Sequence, residues 1–201
     1  MKKINLPSIC FILSCKDVPT NTEIALKAGI KWLQIREKDL PRKTILYSTL
    51  KLRELTLKYN ALLTVNDYFD IAVASEADGV HLGQEDLPLE VAKKFFHGII
   101  GISTHNLEEA MEADRNSAHY IGFGPIFKTS TKKDALEPRG PSMLSLIQRK
   151  VNIPVVAIGG ITLDNIEKVI ECGCRNIAVS SGILTGNIEK NVEKFIKIFM
   201  K

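Results

Sequence analysis

Pro154-Val155-Val156-Ala157-Ile158 is a continuous apolar run, and the glycine-rich segment Gly159-Gly160-Ile161 follows it directly. A short apolar run without polar alternation is typical of a parallel β-strand that is covered on both faces. Similar runs occur at residues 9–13, 32–35, 61–65, 79–82, 99–102, 120–123 and 176–179. The sequence therefore predicts eight strands, most of them parallel and buried.

Longer segments with helical signals separate these runs. Asn106 precedes Leu107 and two glutamates, a pattern typical of a helix N-cap with an acidic first turn. Gly29 and Gly173 are helix-stop signals. Individual helices are predicted from Thr20 to Gly29 and over residues 41–59, 165–171 and 188–200.

Eight strand–helix units within 201 residues predict an α/β fold, the (β/α)8 TIM barrel. At about 150 residues per domain, this length favours one domain over residues 1–201. A doubly wound open sheet is the alternative. The regular repeats and the absence of a G-x-G-x-x-G motif after the first strand count against it.

The composition excludes several classes of protein. Hydrophobic residues make up 45% and charged residues 25%, which excludes disorder, collagen and coiled coils. The net charge of +4 is spread along the chain, so we expect no nucleic-acid partner. No apolar run approaches the ~18 residues of a membrane span, so we expect no membrane partner. The N-terminal segment lacks a signal-peptide cleavage site, and the four cysteines lack metal-ligand spacing, which favours reduced thiols and a cytoplasmic location.

The second strand ends in a cationic segment. Gln34, Arg36 and Lys38 alternate with other residues, so they lie on one face of an extended chain, with Glu37 on the other. If that face is the barrel interior, these side chains reach the carboxyl ends of the strands, where barrel active sites lie. Arginine and lysine there would bind a phosphate or pyrophosphate. A solvated charged loop is the alternative.

Two aspartates follow the next two strands. Asp67 comes directly after the third run, and Asp86 lies in the loop after the fourth. Mg²⁺ commonly takes one or two carboxylates, with water and substrate phosphate oxygens as its other ligands. Either aspartate alone would fit a helix N-cap or a turn. The pair beside a cationic strand end favours a magnesium site.

Hydroxyl and lysine side chains follow the fifth and sixth strands. Ser103 ends the fifth unit, and the loop after the sixth contains Thr129, Thr131 and Lys132. These groups donate hydrogen bonds that an anion accepts. A flexible, exposed basic loop is the alternative for the sixth unit. His81 and His105 are interpreted as core or loop residues, because neither has a sequence partner that would position it.

The last two strand ends predict a second anion site. Gly159-Gly160 follows the seventh strand and Ser180-Ser181 follows the eighth. Backbone amides of these two loops, together with a helix N-terminus, form the common phosphate site of TIM barrels. Two anion sites predict an enzyme that joins two phosphorylated substrates. Since no nucleophile or triad is visible, we expect displacement of a magnesium-bound pyrophosphate, driven by electrostatic stabilisation of the leaving group.

At these positions the sequence resembles the thiamine-phosphate synthase (thiamine-phosphate pyrophosphorylase) family. The matching segments are residues 34–38, 65–67, 77–86, 101–103, 122–127, 129–134 and 157–161. The resemblance implies a transferase of thiamine biosynthesis. Such an enzyme condenses 4-amino-2-methyl-5-(diphosphooxymethyl)pyrimidine with 4-methyl-5-(2-phosphoethyl)thiazole. The products are thiamine phosphate and pyrophosphate, formed through a dissociative pyrimidine-cation mechanism that requires Mg²⁺.

The resemblance also implies residue roles. Asp67 and Asp86 would hold Mg²⁺. The pyrimidine diphosphate would be bound by Gln34, Arg36, Lys38, Asn66, Ser103 and Lys132, with Arg36, Lys38, Ser103 and Lys132 as the catalytic group. The thiazole phosphate would be bound by Thr129, Thr131, Gly160, Ser180 and Ser181. A homo-oligomer is left open.

Two alternatives share this fold. The related thiazole tautomerase has a catalytic histidine where this chain has Pro125, and it tends to lose the two metal aspartates. Residues 137–141 are slightly closer to the loop of the tautomerase than to that of the synthase. A non-catalytic protein that binds thiamine phosphates is the other alternative, but it would have no need of Arg36, Asp67 and Asp86.

Overall fold

The computed structural model describes residues 5–129 and 137–200, and it confirms the predicted barrel. Its eight parallel strands pair in chain order, and the eighth pairs with the first to close the sheet. The strands are β1 Ile9–Leu13, β2 Trp32–Ile35, β3 Leu62–Asn66, β4 Gly79–Leu82, β5 Ile99–Thr104, β6 Tyr120–Phe123, β7 Val155–Ile158 and β8 Asn176–Val179. The extent of the single domain over residues 1–201 stays a prediction.

Helices alternate with the strands and cover the outside of the barrel. They are α1 Thr20–Lys27, α2 Arg42–Tyr59, α3 Phe69–Ala74, α4 Leu89–Phe95, α5 Leu107–Arg115, α6 Gly140–Lys150, α7 Ile166–Glu171, α8 Ser181–Leu184 and α9 Ile188–Phe199. Asn106 is the predicted N-cap of α5, and its side chain accepts a hydrogen bond from the Glu109 amide at 2.9 Å. In the described part of the chain, no helix is both long and apolar enough to cross a membrane.

Alternate residues of the strands form two separate cores. In β2, Leu33 and Ile35 face outward and pack in the large core beneath the helices. Trp32 faces inward and joins a smaller cluster in the barrel interior, which also contains Tyr120. The two rings meet edge to face, with centroids 5.2 Å apart. This inner cluster fills the lower part of the barrel and forms the floor of the region above it.

Polar side chains replace apolar ones one layer above this floor. Gln34, Asn66 and His81 are all buried, although they are polar. Gln34 donates a hydrogen bond from Nε2 to Asn66 Oδ1 at 2.9 Å. His81 contacts Ser103 at 2.9 Å through Nε2. The interior therefore becomes polar toward the carboxyl ends of the strands, which is the end where the predicted site residues lie.

Candidate active site

Gln34 of β2 and Asn66 of β3 form a layer of amides, and Gln34 lies in the barrel interior as alternation along β2 predicted. Gln34 is buried in the interior, and the Cys10 thiol lies 3.9 Å from its Oε1. Because Gln34 Nε2 donates to Asn66 Oδ1, the amide nitrogen of Asn66 retains both of its hydrogens as donors. The pair can therefore present hydrogen-bond donors to a ligand above it.

The cations after β2 converge on Asp67. Lys38 Nζ lies 3.6 Å from Asp67 Oδ2, and the lysine side chain is 58% exposed. Arg36 is close enough to Asp67 to lower the pKa of that carboxyl. The cationic segment is thus directed at the carboxylate side of the barrel mouth, and its role in binding phosphate stays a prediction.

Asp67 and Asp86 form a carboxylate pair at the ends of β3 and β4. Burial, followed by the charge of Asp86, raises the pKa of Asp67 above 3.8, and the opposing effects of Lys38 and Arg36 do not cancel this increase. Asp86 Oδ2 accepts a hydrogen bond from the Gly83 amide at 2.6 Å, which holds the carboxylate in place. A partly buried carboxylate with a second carboxylate beside it is a favourable setting for a cation.

The protein offers only part of a metal coordination shell at this place. No three His, Cys, Asp or Glu side chains converge within residues 5–129 and 137–200. A cation held by Asp67 and Asp86 would therefore take its other ligands from water and from substrate oxygens. This donor set suits Mg²⁺, which binds through one or two carboxylates and retains several waters.

Ser103 is part of a hydrogen-bonded chain that sequence reasoning did not find. Its hydroxyl contacts His81 Nε2 at 2.9 Å, and His81 Nδ1 contacts the Tyr120 hydroxyl, also at 2.9 Å. His81 is a core residue, as interpreted, but its partners come from β5 and β6. His105 is a loop residue, and its Nδ1 lies 3.1 Å from Glu109 Oε2.

The loops after β6 and β7 are bonded to each other. The amides of Ile126 and Phe127 donate to the carbonyls of Ile158 at 2.9 Å and Gly159 at 3.0 Å. A Cβ at Gly160 would overlap the Lys128 carbonyl oxygen, so only glycine permits this close approach. Gly160 therefore lies beside the segment that leads to Thr129, which is partly buried.

The loop after β8 packs on the loop after β7. A Cβ at Gly182 would lie 2.7 Å from the Ile161 carbonyl oxygen. Ser180 is the N-cap of α8, and Ser181, which is exposed, is its first residue. The first amides of a helix have no partner inside it, so the amides of Ser181 and Gly182 are candidate donors to a phosphate, and the phosphate site itself stays a prediction.

The structure thus brings the described predicted residues together in two groups. The first group lies in or directly after β2 to β5 and consists of Gln34, Arg36, Lys38, Asn66, Asp67, Asp86 and Ser103. The second group follows β6 to β8 and consists of Thr129, Gly160, Ser180 and Ser181. Thr131 and Lys132 lie outside the described residues. Because the strands are consecutive around a closed barrel, the two groups occupy opposite parts of the same mouth.

Comparison with known proteins is consistent with this geometry. Residues 9–183 match the family profile described as thiamine monophosphate synthase. The chain belongs to this family. The thiamine-phosphate synthase of Dictyoglomus turgidum is 46% identical over 186 residues, covering 91% of this chain and 83% of the relative. That of Clostridium acetobutylicum is 46% identical over 176 residues, covering 87% and 83%.

A solved structure of the thiamine-phosphate synthase family has the same fold. The thiamine phosphate pyrophosphorylase from Pyrococcus furiosus superposes with a TM-score of 0.86 at 37% identity, covering 96% of each chain. The family, the barrel fold and the transferase class predicted from the sequence are therefore confirmed. The roles of the individual residues stay predictions.

Proposed function

We propose that the chain condenses the pyrimidine diphosphate with the thiazole phosphate to give thiamine phosphate and pyrophosphate. One observation supports this above all. A cationic segment beside a carboxylate pair lies in one part of the barrel mouth, and the closely packed glycine-containing loops after β7 and β8, to which we assign the second anion, lie in the other. A reaction between two phosphorylated substrates needs two such anion-binding regions. The names of the curated relatives support the same activity.

The pyrimidine diphosphate is assigned to the part of the mouth formed by β2 to β5. Arg36 and Lys38 bind its phosphate oxygens, since forked and point-charge donors complement a diphosphate. Asn66 and Ser103 donate further hydrogen bonds, and Gln34 orients Asn66. Lys132 joins this group in the proposal, on the family resemblance alone. These cations stabilise the charge that develops on pyrophosphate as its bond to the pyrimidine methylene carbon breaks.

Asp67 and Asp86 fit Mg²⁺ because they form a close carboxylate pair, and Mg²⁺ commonly binds through one or two carboxylates. When bound, Mg²⁺ supplies positive charge that neutralises the pyrophosphate leaving group. Burial, followed by the charge of Asp86, raises the pKa of Asp67, so a cation beside the pair would stabilise its charged form. Asp86 is held by the Gly83 amide and keeps its other carboxylate oxygen for the ion.

The thiazole phosphate is assigned to the part formed by β6 to β8. Backbone amides near Gly160 and at the start of α8 bind the phosphate, and hydroxyls of Thr129, Thr131, Ser180 and Ser181 complete the site. The thiazole nitrogen then captures the pyrimidine cation. Tautomerase chemistry lacks support because Pro125, at the position of the tautomerase histidine, has no side-chain proton to transfer.

The test uses the purified chain with both substrates, with and without added Mg²⁺, following thiamine phosphate and pyrophosphate. We expect both products in equal amounts and only with Mg²⁺. Asp86→Asn should lose most of this activity while keeping the fold by circular dichroism. Asp114→Asn is the matched control, because Asp114 lies in α5 and its carboxylate accepts hydrogen bonds only from Asn152 among the described residues. Absence of any Mg²⁺-dependent product would contradict the proposal.

We also propose a cytoplasmic location, which four free cysteines support, since disulfides are typical of oxidising compartments. The absence of a nucleic-acid or membrane partner and the formation of a homo-oligomer stay predictions. Size-exclusion chromatography with light scattering would measure the oligomeric state.

A further inference from the structure

Tyr120 supports His81 from below, at the floor of the candidate site. The phenol is 1% exposed, and its hydroxyl lies 2.9 Å from His81 Nδ1. The planes of the two rings are tilted by 30° to each other, and their centroids are 5.4 Å apart. The other side of the imidazole contacts the Ser103 hydroxyl at 2.9 Å. The imidazole therefore bridges a buried phenol and a serine at the barrel mouth.

Two glycines make the space in which these rings lie. A Cβ at Gly101 would be 2.6 Å from Tyr120 Cε2 and closer still to Cζ. A Cβ at Gly122 would be 2.9 Å from His81 Cε1 and 3.2 Å from Nε2. Both glycines face the barrel interior beside the ring that each accommodates. The position of the imidazole is therefore set by the shape of β5 and β6 as well as by its hydrogen bonds.

The Tyr120 hydroxyl determines which groups donate and which accept in the hydrogen-bonded series Tyr120–His81–Ser103. Burial raises the pKa of Tyr120 well above 10.0, so the phenol keeps its hydrogen. Within residues 5–129 and 137–200, His81 Nδ1 is the one acceptor that this hydroxyl contacts. The phenol therefore donates to Nδ1, because a buried hydroxyl hydrogen without an acceptor is strongly disfavoured.

The donation from Tyr120 fixes the positions of the hydrogens on His81 and on the Ser103 hydroxyl. An imidazole whose Nδ1 accepts carries its hydrogen on Nε2, and this N–H donates to Ser103 Oγ. The oxygen of Ser103 is then an acceptor, and its own hydrogen points away from His81. The serine side chain is partly exposed at the mouth, so this hydrogen is available to a ligand.

We propose that Tyr120 is a positioning residue that, through His81, turns the hydroxyl hydrogen of Ser103 toward the pyrimidine diphosphate. This rests on the proposed function, in which Ser103 binds that substrate. In the opposite orientation Ser103 would donate to His81, and the site would present an oxygen lone pair to an anion. Tyr120 itself touches neither substrate.

The first test measures the position of the hydrogen on His81 and does not depend on activity. Long-range ¹H–¹⁵N spectra of protein labelled with ¹⁵N-histidine distinguish the two neutral tautomers. The chain has four histidines, and the signals of His81 are identified by their loss in His81→Gln. We expect the tautomer with hydrogen on Nε2 in the wild type. Hydrogen on Nδ1 would overturn the proposal, whatever the enzyme proves to catalyse.

The second test is a double-mutant cycle of Tyr120→Phe and Ser103→Ala. Tyr120→Phe keeps the ring and removes the donor, so we expect kcat/KM for the pyrimidine diphosphate to fall about tenfold. KM for the thiazole phosphate should not change. If Tyr120 acts through Ser103, then Tyr120→Phe should have no further effect in the Ser103→Ala background. Independent, multiplicative losses would show a general structural role and overturn the proposal.

Thr64→Val is the matched control. Thr64 is a fully buried hydroxyl in the barrel interior, and it bonds to Trp32 Nε1 and the Leu33 carbonyl, each at 3.2 Å. Its loss should leave kcat/KM within about twofold, because, among the described residues, Thr64 has no hydrogen bond to Tyr120, His81 or Ser103 and contacts them only through the packing of Trp32. If Tyr120→Phe does not fold, the wild-type tautomer still decides the question. Absence of synthase activity in the wild type would contradict the proposed function and leave the spectroscopic result to stand alone.

Discussion

Gly101→Ala is the sharpest test of the barrel floor, because a single methyl group is placed against a fully buried ring. Gly101 lies in β5 with a backbone conformation that alanine can adopt, since its φ is not in the left-handed region. The added Cβ would lie 2.6 Å from Tyr120 Cε2, whereas carbon atoms normally meet at about 3.5–4.0 Å. The ring must therefore move by about 1 Å or more.

The tyrosine ring has little room for this movement. It contacts the rings of His81 and Trp32, at centroid distances of 5.4 and 5.2 Å. Overpacking of a core costs about 1–3 kcal/mol. Loss of the hydrogen bond to His81 adds ~1 kcal/mol. Replacing glycine with alanine offsets about 0.4–1 kcal/mol of this loss, because alanine lowers the conformational entropy of the unfolded chain. The net loss is about 1–3.6 kcal/mol, which lowers the melting temperature by roughly 2–14 °C at this chain length.

Thermal denaturation followed by circular dichroism measures this loss. Fluorescence of Trp32, the sole tryptophan of the chain, reports whether the floor itself changes. Tyr120→Leu provides the compensating variant, since a smaller side chain makes room for the methyl group. The double variant should be more stable than the sum of the two single losses predicts. A Gly101→Ala protein at least as stable as the wild type would refute the argument, since alanine is then accommodated without strain.

Three further predictions concern the metal pair, a buried histidine and a helix cap. At 100 times its dissociation constant and with pyrophosphate present, Mg²⁺ should stabilise the wild type by about 2.7 kcal/mol. Asp86→Asn should lose this gain in a thermal-shift assay, and an equal gain in that variant would contradict the assignment. Burial, followed by Lys93, lowers the pKa of His119 below 6.5. The unfolded chain therefore takes up a proton first, so the free energy of unfolding should decrease as the pH falls below 6.5, less so in His119→Gln. Urea titrations across this range measure the difference, and identical slopes would contradict it. Asn106→Ala removes the N-cap of α5 and should cost about 1 kcal/mol in urea denaturation; an unchanged midpoint would show that the cap is dispensable.

The fold was predictable because the buried strands carry a strong local signal. Residues 9–13 and 79–82 are apolar runs whose predicted and observed bounds agree. The predicted end of a strand was too early where the strand continues into polar residues. β5 continues through Ser103 to Thr104, since both residues still pair with β6, opposite Gly122 and Phe123. Local composition cannot show this pairing, which depends on the neighbouring strand.

The candidate site was predictable only in part, for the same reason. Alternation along one strand placed Gln34 in the interior, and the order of strands placed Asp67 near Lys38. Neither alternation nor strand order predicted the hydrogen-bond partners of His81. Its partners lie 22 and 39 residues further along the chain, and they meet it only because β4, β5 and β6 are neighbours.

The side chains that face the barrel interior from β2 become more polar toward its carboxyl end, with one change at every second residue. Trp32 forms part of the floor, Gln34 the amide layer above it, and Arg36 the charged rim beside Asp67. Side chains two positions apart in a strand face the same way but lie about 6.6 Å apart along it. Substitutions at these three positions should therefore differ in kind: loss of stability at Trp32, weaker substrate binding at Gln34, and weaker stabilisation of the leaving group at Arg36. The segment formed by β2 and the residue after it thus contributes to the fold through Trp32 and to the proposed chemistry through Gln34 and Arg36.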